Sequence, residues 1–229
     1  MQRLGTVARL RRYPVKSMMG EDLEEASFEK NGVVGDRVYA FFDEKGKNGR
    51  QFPWPWITAR QVPEMLLYEP RYRSSDITKL EFFSNGKGIE EFISFVEKKY
   101  SLKIRLGFDE RGNHDSKPVS LLGLATVAQL EKESIQLDPE RFRANIYGEW
   151  EKPFFENELV GRSLLIGNVK LKILKKNSRC EIPTLDPKTA RRSRIVLENI
   201  IRKHGGCAGV YASVEESGVA KVGDAILSE

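Results

Sequence analysis

Over most of this chain apolar residues either alternate with polar ones or gather in short runs, and only a few windows repeat at helical spacing. Val169, Leu171 and Ile173 alternate with Lys170 and Lys172, the period of two that marks a strand with one buried face. Gly5–Tyr13, with Val7 and Leu10 among arginines, and Asp36–Phe42 predict two more strands. Shorter ones are expected over Ile57–Arg60, Met65–Tyr68, Lys79–Phe83, Lys103–Leu106, Arg143–Tyr147, Leu164–Ile166 and Val210–Val214. A last segment, Ala220–Leu227, turns at Gly223-Asp224, and Gly167-Asn168 reads as the turn of a hairpin. Helical spacing is clearest at Ile89, Phe92, Ile93, Val96 and Tyr100. Thr126–Glu133 and Arg192–Arg202 are further helices, and Asp138-Pro139-Glu140 resembles a helix start with proline in its first turn. Many short strands, few helices and frequent glycine turns predict a mainly β, barrel-like architecture. The polar stretch Asp109–Asn113 is the expected boundary between two parts, 1–112 and 113–229.

Composition narrows the function classes. The chain has 229 residues, 40% hydrophobic and 31% charged, which is the balance of a globular protein with a real core. No run approaches the roughly 18 apolar residues of a membrane span. The N-terminus has no apolar signal core, so the cytoplasm is the expected compartment and no membrane partner is expected. Lys and Arg number 38 against 33 Asp and Glu, an excess that suits an anionic small molecule, a nucleic acid or an acidic partner. Only two cysteines, Cys180 and Cys207, exclude a disulfide scaffold and an all-cysteine iron–sulfur cluster. His114 and His204 are not spaced as a metal pair and read as surface or satisfied histidines. Nucleotide-binding glycine loops, a Walker lysine and a Gly-x-Ser-x-Gly elbow are all missing.

Chemistry concentrates in Lys176–Pro187. Pro183 and Pro187 forbid a simple continuation of the strand from Val169, so Cys180 falls where that strand gives way to a turn-rich loop. Arg179 is its neighbour, and a cation beside a thiol favours the charged sulfur, a nucleophile or metal ligand. The alternative is a small buried hydrophobe, and simple burial is the reading for Cys207. Elsewhere basic side chains recur at strand ends beside a small hydroxyl or amide: Lys16-Ser17, Arg37, Arg143 with Asn145, and Ser178-Arg179. Arginine offers a planar donor fork and lysine a point charge. Taken singly these are solvated surface groups; converging with a thiolate, they make a cradle for an anionic, metal-bearing cofactor. Phe52-Pro53-Trp54-Pro55-Trp56 cannot join a central ladder. It reads as an ordered loop over the surface or a pocket mouth, or as a patch sealing a loop.

Tyr13-Pro14-Val15-Lys16-Ser17, Gly35-Asp36-Arg37 and Thr58-Ala59-Arg60-Gln61 resemble the N-terminal β-barrel domain that accompanies MOSC domains. Arg141–Ile146, Ser178-Arg179-Cys180 with Thr184–Pro187, and Val222-Gly223-Asp224 resemble the MOSC domain itself, known from molybdenum-cofactor sulfurases. In this order, over nearly the whole chain, the set is similar to the amidoxime-reducing components and their bacterial relatives. The resemblance implies an N-terminal β-barrel-like domain, a MOSC β-barrel domain and a molybdenum–molybdopterin cofactor. By the same resemblance Cys180 is the metal ligand, and Lys16, Ser17 and Arg37 hold the pterin and its phosphate. Arg143, Asn145, Ser178 and Arg179 line the same pocket, while Asp115 and Ser116 lie near the cofactor and the open face of the metal, with Asp115 and Cys180 as the catalytic pair. The implied activity is two-electron reduction of N-hydroxylated small molecules by oxygen-atom abstraction at a cysteine-ligated molybdenum. The chain carries no flavin, nicotinamide or iron–sulfur motif, so electrons are expected from separate proteins. The rival is a non-catalytic carrier of sulfur or of the cofactor. A nucleic-acid-binding barrel lacks the interleaved aromatic and basic residues it would need on a strand. Three residues depart from the family pattern: Asn177 replaces a second cysteine, Ala144 a proline and Ala190 a glycine. Phe52–Trp56 resembles an insertion that could reshape the substrate mouth.

Overall fold

A computed structural model describes residues 1–44, 56–82 and 88–228. The fold is mainly β with three α-helices, and its largest unit is a closed seven-stranded barrel. The staves are β1 (Gln2–Arg12), β2 (Val119–Gly123), β3 (Ile146–Glu149), β4 (Ser163–Ile166), β5 (Val169–Ser178), β6 (Cys207–Glu216) and β7 (Ala225–Ser228). Around the ring they run β3-β2-β6-β5-β4-β7-β1, and β1 returns to β3. β1 therefore closes the barrel: it pairs Gln2 with Ser228 and Thr6 with Ala225 on one side, and Thr6 with Glu149 and Leu10 with Ile146 on the other. Closure leaves no stave with an unpaired edge. Gly5 permits the approach, because a Cβ there would lie 2.2 Å from the Glu149 carbonyl oxygen.

The alternation read from Val169 holds. Val169, Leu171 and Ile173 are fully buried, with Lys170 and Lys172 facing outward between them. Together with Val7, Leu10, Leu121, Ile146, Ile166, Val210 and Ile226 they fill the barrel. Irregularities of register after Ile173 and after Lys176 break the period before Cys180. β2 and β3 are the parallel neighbours of the ring. Parallel strands need a crossover, here α2 (Leu124–Glu133) followed by the 3₁₀ helix Pro139–Phe142.

A second core lies in the N-terminal half. Strand Tyr39–Asp43 pairs between Trp56–Ile57 and Ile104–Phe108, and α1 (Ile89–Tyr100) packs against it. The helical spacing predicted there is realised: Phe92 and Val96 are buried, and the Phe92 ring centroid lies 4.9 Å from Phe41 and 4.7 Å from Tyr68. Leu185 belongs to this core, so the loop after Cys180 docks into the other half of the chain. A third cluster lies under α2 and α3 (Ile195–His204).

Four local expectations change. Met65–Tyr68 is not a strand: Pro63 opens a 3₁₀ helix over Pro63–Leu67, and the Tyr68 N–H donates back to Met65. The strand expected from Asp36 starts only at Tyr39, because Gly35 and Arg37 turn the chain with φ of 80° and 55°. β3 begins at Ile146 rather than Arg143, whose φ of 52° ends the preceding 3₁₀ helix. The strand from Ile57 ends at once in a turn starting at Thr58. The loop Lys45–Gly49, the aromatic run Phe52–Pro55 and Phe83 lie outside the described residues.

Ala190 also has a left-handed backbone, with φ of 56°, in a loop where its N–H donates to the Asp186 carbonyl at 2.8 Å. An L side chain in that region costs about 1–2 kcal/mol that glycine avoids, partly offset by glycine's greater loss of freedom on folding. Ala190→Gly is expected to raise stability by about 0.5–1 kcal/mol, read as a higher midpoint in urea at unchanged slope. An unchanged or lower midpoint would show that the loop carries no such strain.

Candidate functional site

Cys180 emerges where β5 ends. Ser178 is paired with Cys207 of β6, and the Arg179 N–H donates to Gly206 at 2.8 Å. Beyond the cysteine, Thr184 Oγ1 donates to the Glu181 carbonyl at 2.6 Å, closing the 3₁₀ turn Ile182–Thr184. Asp186 pins the rest of the loop. One carboxylate oxygen accepts from Thr189 Oγ1 and from the N–H groups of Lys188 and Thr189, and the other from Arg141 Nη2 at 2.6 Å. Burial opposes ionisation of Asp186, but these donors outweigh it and hold the carboxyl below its usual range. Between two anchored segments, Cys180 is exposed rather than sealed in an apolar interior.

All ten residues singled out in the sequence line one cavity of about 300 Å³: Lys16, Ser17, Arg37, Asp115, Ser116, Arg143, Asn145, Ser178, Arg179 and Cys180. They arrive from the turn after β1, the turn after Gly35, the approaches to β2 and β3, and the end of β5. Ser17, Arg37 and Arg143 have φ of 67°, 55° and 52°. Non-glycine residues in this region are uncommon and persist where surrounding structure over-determines them, so these three are held by the fold.

The contacts show what holds them. Arg37 pairs with Asp36 and donates Nη2 to the Arg143 carbonyl at 3.0 Å. Arg143 donates Nη1 to the Met18 carbonyl at 2.6 Å. The Tyr13 ring lies under both guanidinium groups, 4.8 Å from Arg37 and 4.3 Å from Arg143. Arg179 donates Nε to Ala208 at 2.7 Å and Nη1 to Phe142 at 2.9 Å. Gly209, with φ of 77°, makes room: a Cβ there would stand 2.8 Å from the Leu121 carbonyl and 3.2 Å from Arg179 Nη2. After these bonds, Arg143 Nη2 and Arg179 Nη2 remain buried with no acceptor among the described residues.

Across the cavity, Lys16 Nζ lies 2.7 Å from Asp115 Oδ1, donates to the Asn113 carbonyl at 2.6 Å and sits 4.2 Å from the Trp56 ring centroid. Asp115 Oδ2 lies 3.8 Å from Arg60 Nη2, which donates to Cys180 Sγ at 3.2 Å. Among the described lining residues nine are lysine or arginine and only Asp115 carries a carboxylate, so the cavity is strongly electropositive. Burial, reinforced by Arg37 and Arg60, pushes Lys16 down to about 8 despite Asp115. Burial works against ionisation of Asp115, yet Lys16, Arg60 and Arg37 hold its carboxyl below the usual range. Burial also pushes Arg143 down to about 10, and Arg37 adds to the shift.

Sequence reasoning passed over several lining groups. Arg60 sits in a quoted motif but was given no role, and Arg141, Lys117, Lys175, Lys176 and Tyr211 were not singled out. Tyr211 carries no sequence signal beyond its place in a strand. His114 lines the cavity, and burial pushes it down while its Nε2 lies 3.2 Å from the Asn31 carbonyl. His204 is satisfied by Glu133 at 2.8 Å and stacks on Phe154. Cys207 is half-buried rather than buried, 3.7 Å from Ser178 Oγ, and does not line the cavity.

Among the described residues no three His, Cys, Asp or Glu side chains are grouped as a metal site. A metal at Cys180 would need donors beyond the described His, Cys, Asp and Glu side chains. The buried arginine donors without acceptors, the cation excess and the open sulfur fit a group with an anionic tail and several acceptors, as a phosphorylated, metal-bearing pterin has.

A closed β-barrel flanked by turns that gather cations around one exposed thiol is the kind of protein the fold and cavity define. The MOSC domain family matches residues 109–227 and the MOSC N-terminal beta barrel domain family residues 4–102. The chain belongs to the MOSC family, which is associated with molybdenum-cofactor binding. It is 26% identical over 283 residues to mitochondrial amidoxime reducing component 2 of Bos taurus, covering 99% of this chain and 84% of the relative. It is 23% identical to mitochondrial amidoxime-reducing component 1 of Homo sapiens, covering 99% and 83%. The crystal structure of the YUAD protein from Bacillus subtilis shares the fold with a TM-score of 0.53 at 14% identity, over 97% of this chain and 93% of that one. Among the described residues no helix is long and apolar enough to cross a membrane.

The cavity should bind a simple dianion in a pH-dependent way. Lys16 is charged below about 8 and neutral above, and sulfate keeps its charge throughout. Sulfate affinity measured by calorimetry is expected to be flat from pH 6.5 to 7.5. Above pH 8 it should weaken by up to about tenfold per pH unit. Lys16→Gln should weaken binding and flatten that fall; wild-type affinity unchanged from pH 7 to 9.5 would remove Lys16 from the anion site.

Proposed function

We propose that the chain binds the molybdenum cofactor in this cavity, with Cys180 as the protein ligand of the metal, and reduces N-hydroxylated small molecules. The observation that carries the reading is the exposed thiol beside a cavity lined by three arginines, Arg141, Arg143 and Arg179, each with a buried donor that lacks an acceptor among the described residues. The names of its amidoxime-reducing relatives support the reaction class. Lys16, Ser17 and Arg37 hold the phosphate end, and Arg143 and Arg179 offer their free Nη2 groups to acceptors on the ligand. Ser178 and Ser116 add neutral donors at the wall, and Asn145 braces it. Asp115, exposed and held ionised, accepts from the O–H and N–H groups of a substrate and orients them. When bound, the cofactor supplies the two-electron chemistry that removes the oxygen. Converting R–NHOH to R–NH₂ and water takes up two electrons and two protons, and the electrons come from separate proteins. The site draws residues from both 1–112 and 113–229, and the cytoplasm is the compartment proposed for the reaction. The exposure of Cys180 also suits the second reading, a carrier that passes on sulfur or the cofactor.

Protein purified from a host that makes the cofactor is expected to hold molybdenum and to reduce benzamidoxime with an artificial electron donor. Cys180→Ser should lose metal and at least about 100-fold in turnover with its circular-dichroism spectrum intact. Metal-bearing protein that turns over nothing with any donor would favour the carrier. Metal-free wild type from the same host would sink the reductase and the cofactor carrier and leave only the sulfur carrier.

A further inference from the structure

Arg60 has no part in that assignment, yet it comes from the N-terminal half to lie 3.2 Å from the Cys180 sulfur. Its side chain is only 13% exposed. The turn that carries it is braced at each step. Thr58 Oγ1 donates to Gln61 Oε1 at 2.6 Å, the Thr58 N–H donates to the same oxygen at 3.0 Å, and the Arg60 N–H donates to Thr58 Oγ1 at 3.3 Å. Ala59, between them, is fully buried in the second core. Such a turn fixes where the guanidinium points, at the expense of several hydrogen bonds and a buried neighbour. Among the described residues only Nη2 has partners, Cys180 Sγ and, at 3.8 Å, Asp115 Oδ2. Nε and Nη1 are left without an acceptor among the described residues. A planar fork with spare donors beside a sulfur is suited to holding an oxygen that carries negative charge.

We propose that Arg60 is a positioning residue of this site: its guanidinium draws a negatively charged oxygen of an incoming molecule to the Cys180 sulfur, and Asp115 competes for it. On the reading of the preceding section, the favoured substrates are N-hydroxylated compounds whose oxygen bears charge while an N–H remains for Asp115, such as hydroxamates. In the free protein Asp115 shares the guanidinium with the thiol, so a charged ligand displaces it.

The test compares two alkylating probes on the full chain from a host that lacks the cofactor. Iodoacetate is anionic and iodoacetamide neutral; with either, the sulfur attacks the same carbon, an S–C bond forms and iodide leaves. At one pH their rate ratio cancels the thiolate fraction and reports the local field. Peptide mass spectrometry separates Cys180 from Cys207, which serves as reference, and Cys180→Ser confirms the assignment. The iodoacetate-to-iodoacetamide ratio at Cys180 is expected to exceed that at Cys207, and Arg60→Met to lower it about fivefold or more. Arg60→Lys should restore much of it, which a merely structural role for Arg60 would not. Asp115→Asn should raise it above wild type, an arm that stands even where Arg60→Met fails to fold. A ratio unmoved by Arg60→Met in folded protein, or by Asp115→Asn, overturns the proposal. The labelling needs neither metal nor turnover, so an inactive loaded protein sinks the reductase reading alone, and an active one with a flat ratio sinks this inference alone.

Discussion

Crowding cations into one small cavity is the constraint on which the rest of the structure depends. Each ammonium or guanidinium taken from water loses hydration that must be replaced by charge or by hydrogen-bond acceptors. The fold replaces it unevenly. Asp36 serves Arg37, Asp186 serves Arg141, and Asp115 is shared between Lys16 and Arg60. Backbone carbonyls of Met18, Asn113, Phe142, Arg143 and Ala208 each take one further donor. These bonds fix each cation's direction without cancelling its charge, because a carbonyl carries none. What is left uncompensated is the cavity's attraction for an anion; the downward shift of Asp115 expresses it, and Arg37 and Arg60 add to the downward shift that burial gives Lys16.

Holding those charges together falls to the barrel's closing strand. β1 pairs with β7 and β3 at once, so the turn that follows it, with Lys16 and Ser17, is anchored against the C-terminal staves. From the other direction Leu185, a few residues past Cys180, is buried in the N-terminal core. The two halves thus exchange elements on either side of the cavity. Neither half alone carries the full set of lining groups.

How much of this was legible follows from how local each signal is. Strand β5, the hairpin at Gly167-Asn168 and helix α1 were readable because side-chain period reports burial directly, and burial there is one-sided. The turns at Arg37 and Arg143 were not, since arginine gives no sign of a left-handed backbone; that conformation is imposed by Asp36 receiving the Tyr13 N–H at 2.8 Å and by the Arg37 and Arg143 contacts described above. Met65–Tyr68 misled because short apolar runs fit a strand or a buried turn equally well, and Pro63 decided the matter. Candidate residues were found as basic groups at strand ends with their small polar neighbours, as the thiol where a strand gives way to a loop, and, for Asp115 and Ser116, only through the family resemblance; all of them line the cavity. Arg60 and Tyr211 escaped because their importance lies in a distance across the fold, which no spacing along the chain records.

The motif residues then separate by what their atoms have left to give. Asn145 Oδ1 accepts from both the N–H and the Oγ of Ser120, and Nδ2 donates to the Arg11 carbonyl at 3.3 Å. Its oxygen is fully used and so is one amide hydrogen, so its first duty is to tie the approach to β3 to β1 and β2. Arg141, though it lines the cavity, is committed to Asp186 and holds the Cys180 loop in place. Arg143 and Arg179 spend part of each fork on carbonyls and, like Arg141 at Nε, keep one buried nitrogen without an acceptor among the described residues. A buried donor with no partner costs roughly 1–3 kcal/mol, a cost that a bound acceptor would remove. Such donors on three arginines around one cavity therefore favour a ligand with acceptors spaced to meet them, and this preference is set before any ligand arrives, by the partners that fix the rest of each guanidinium.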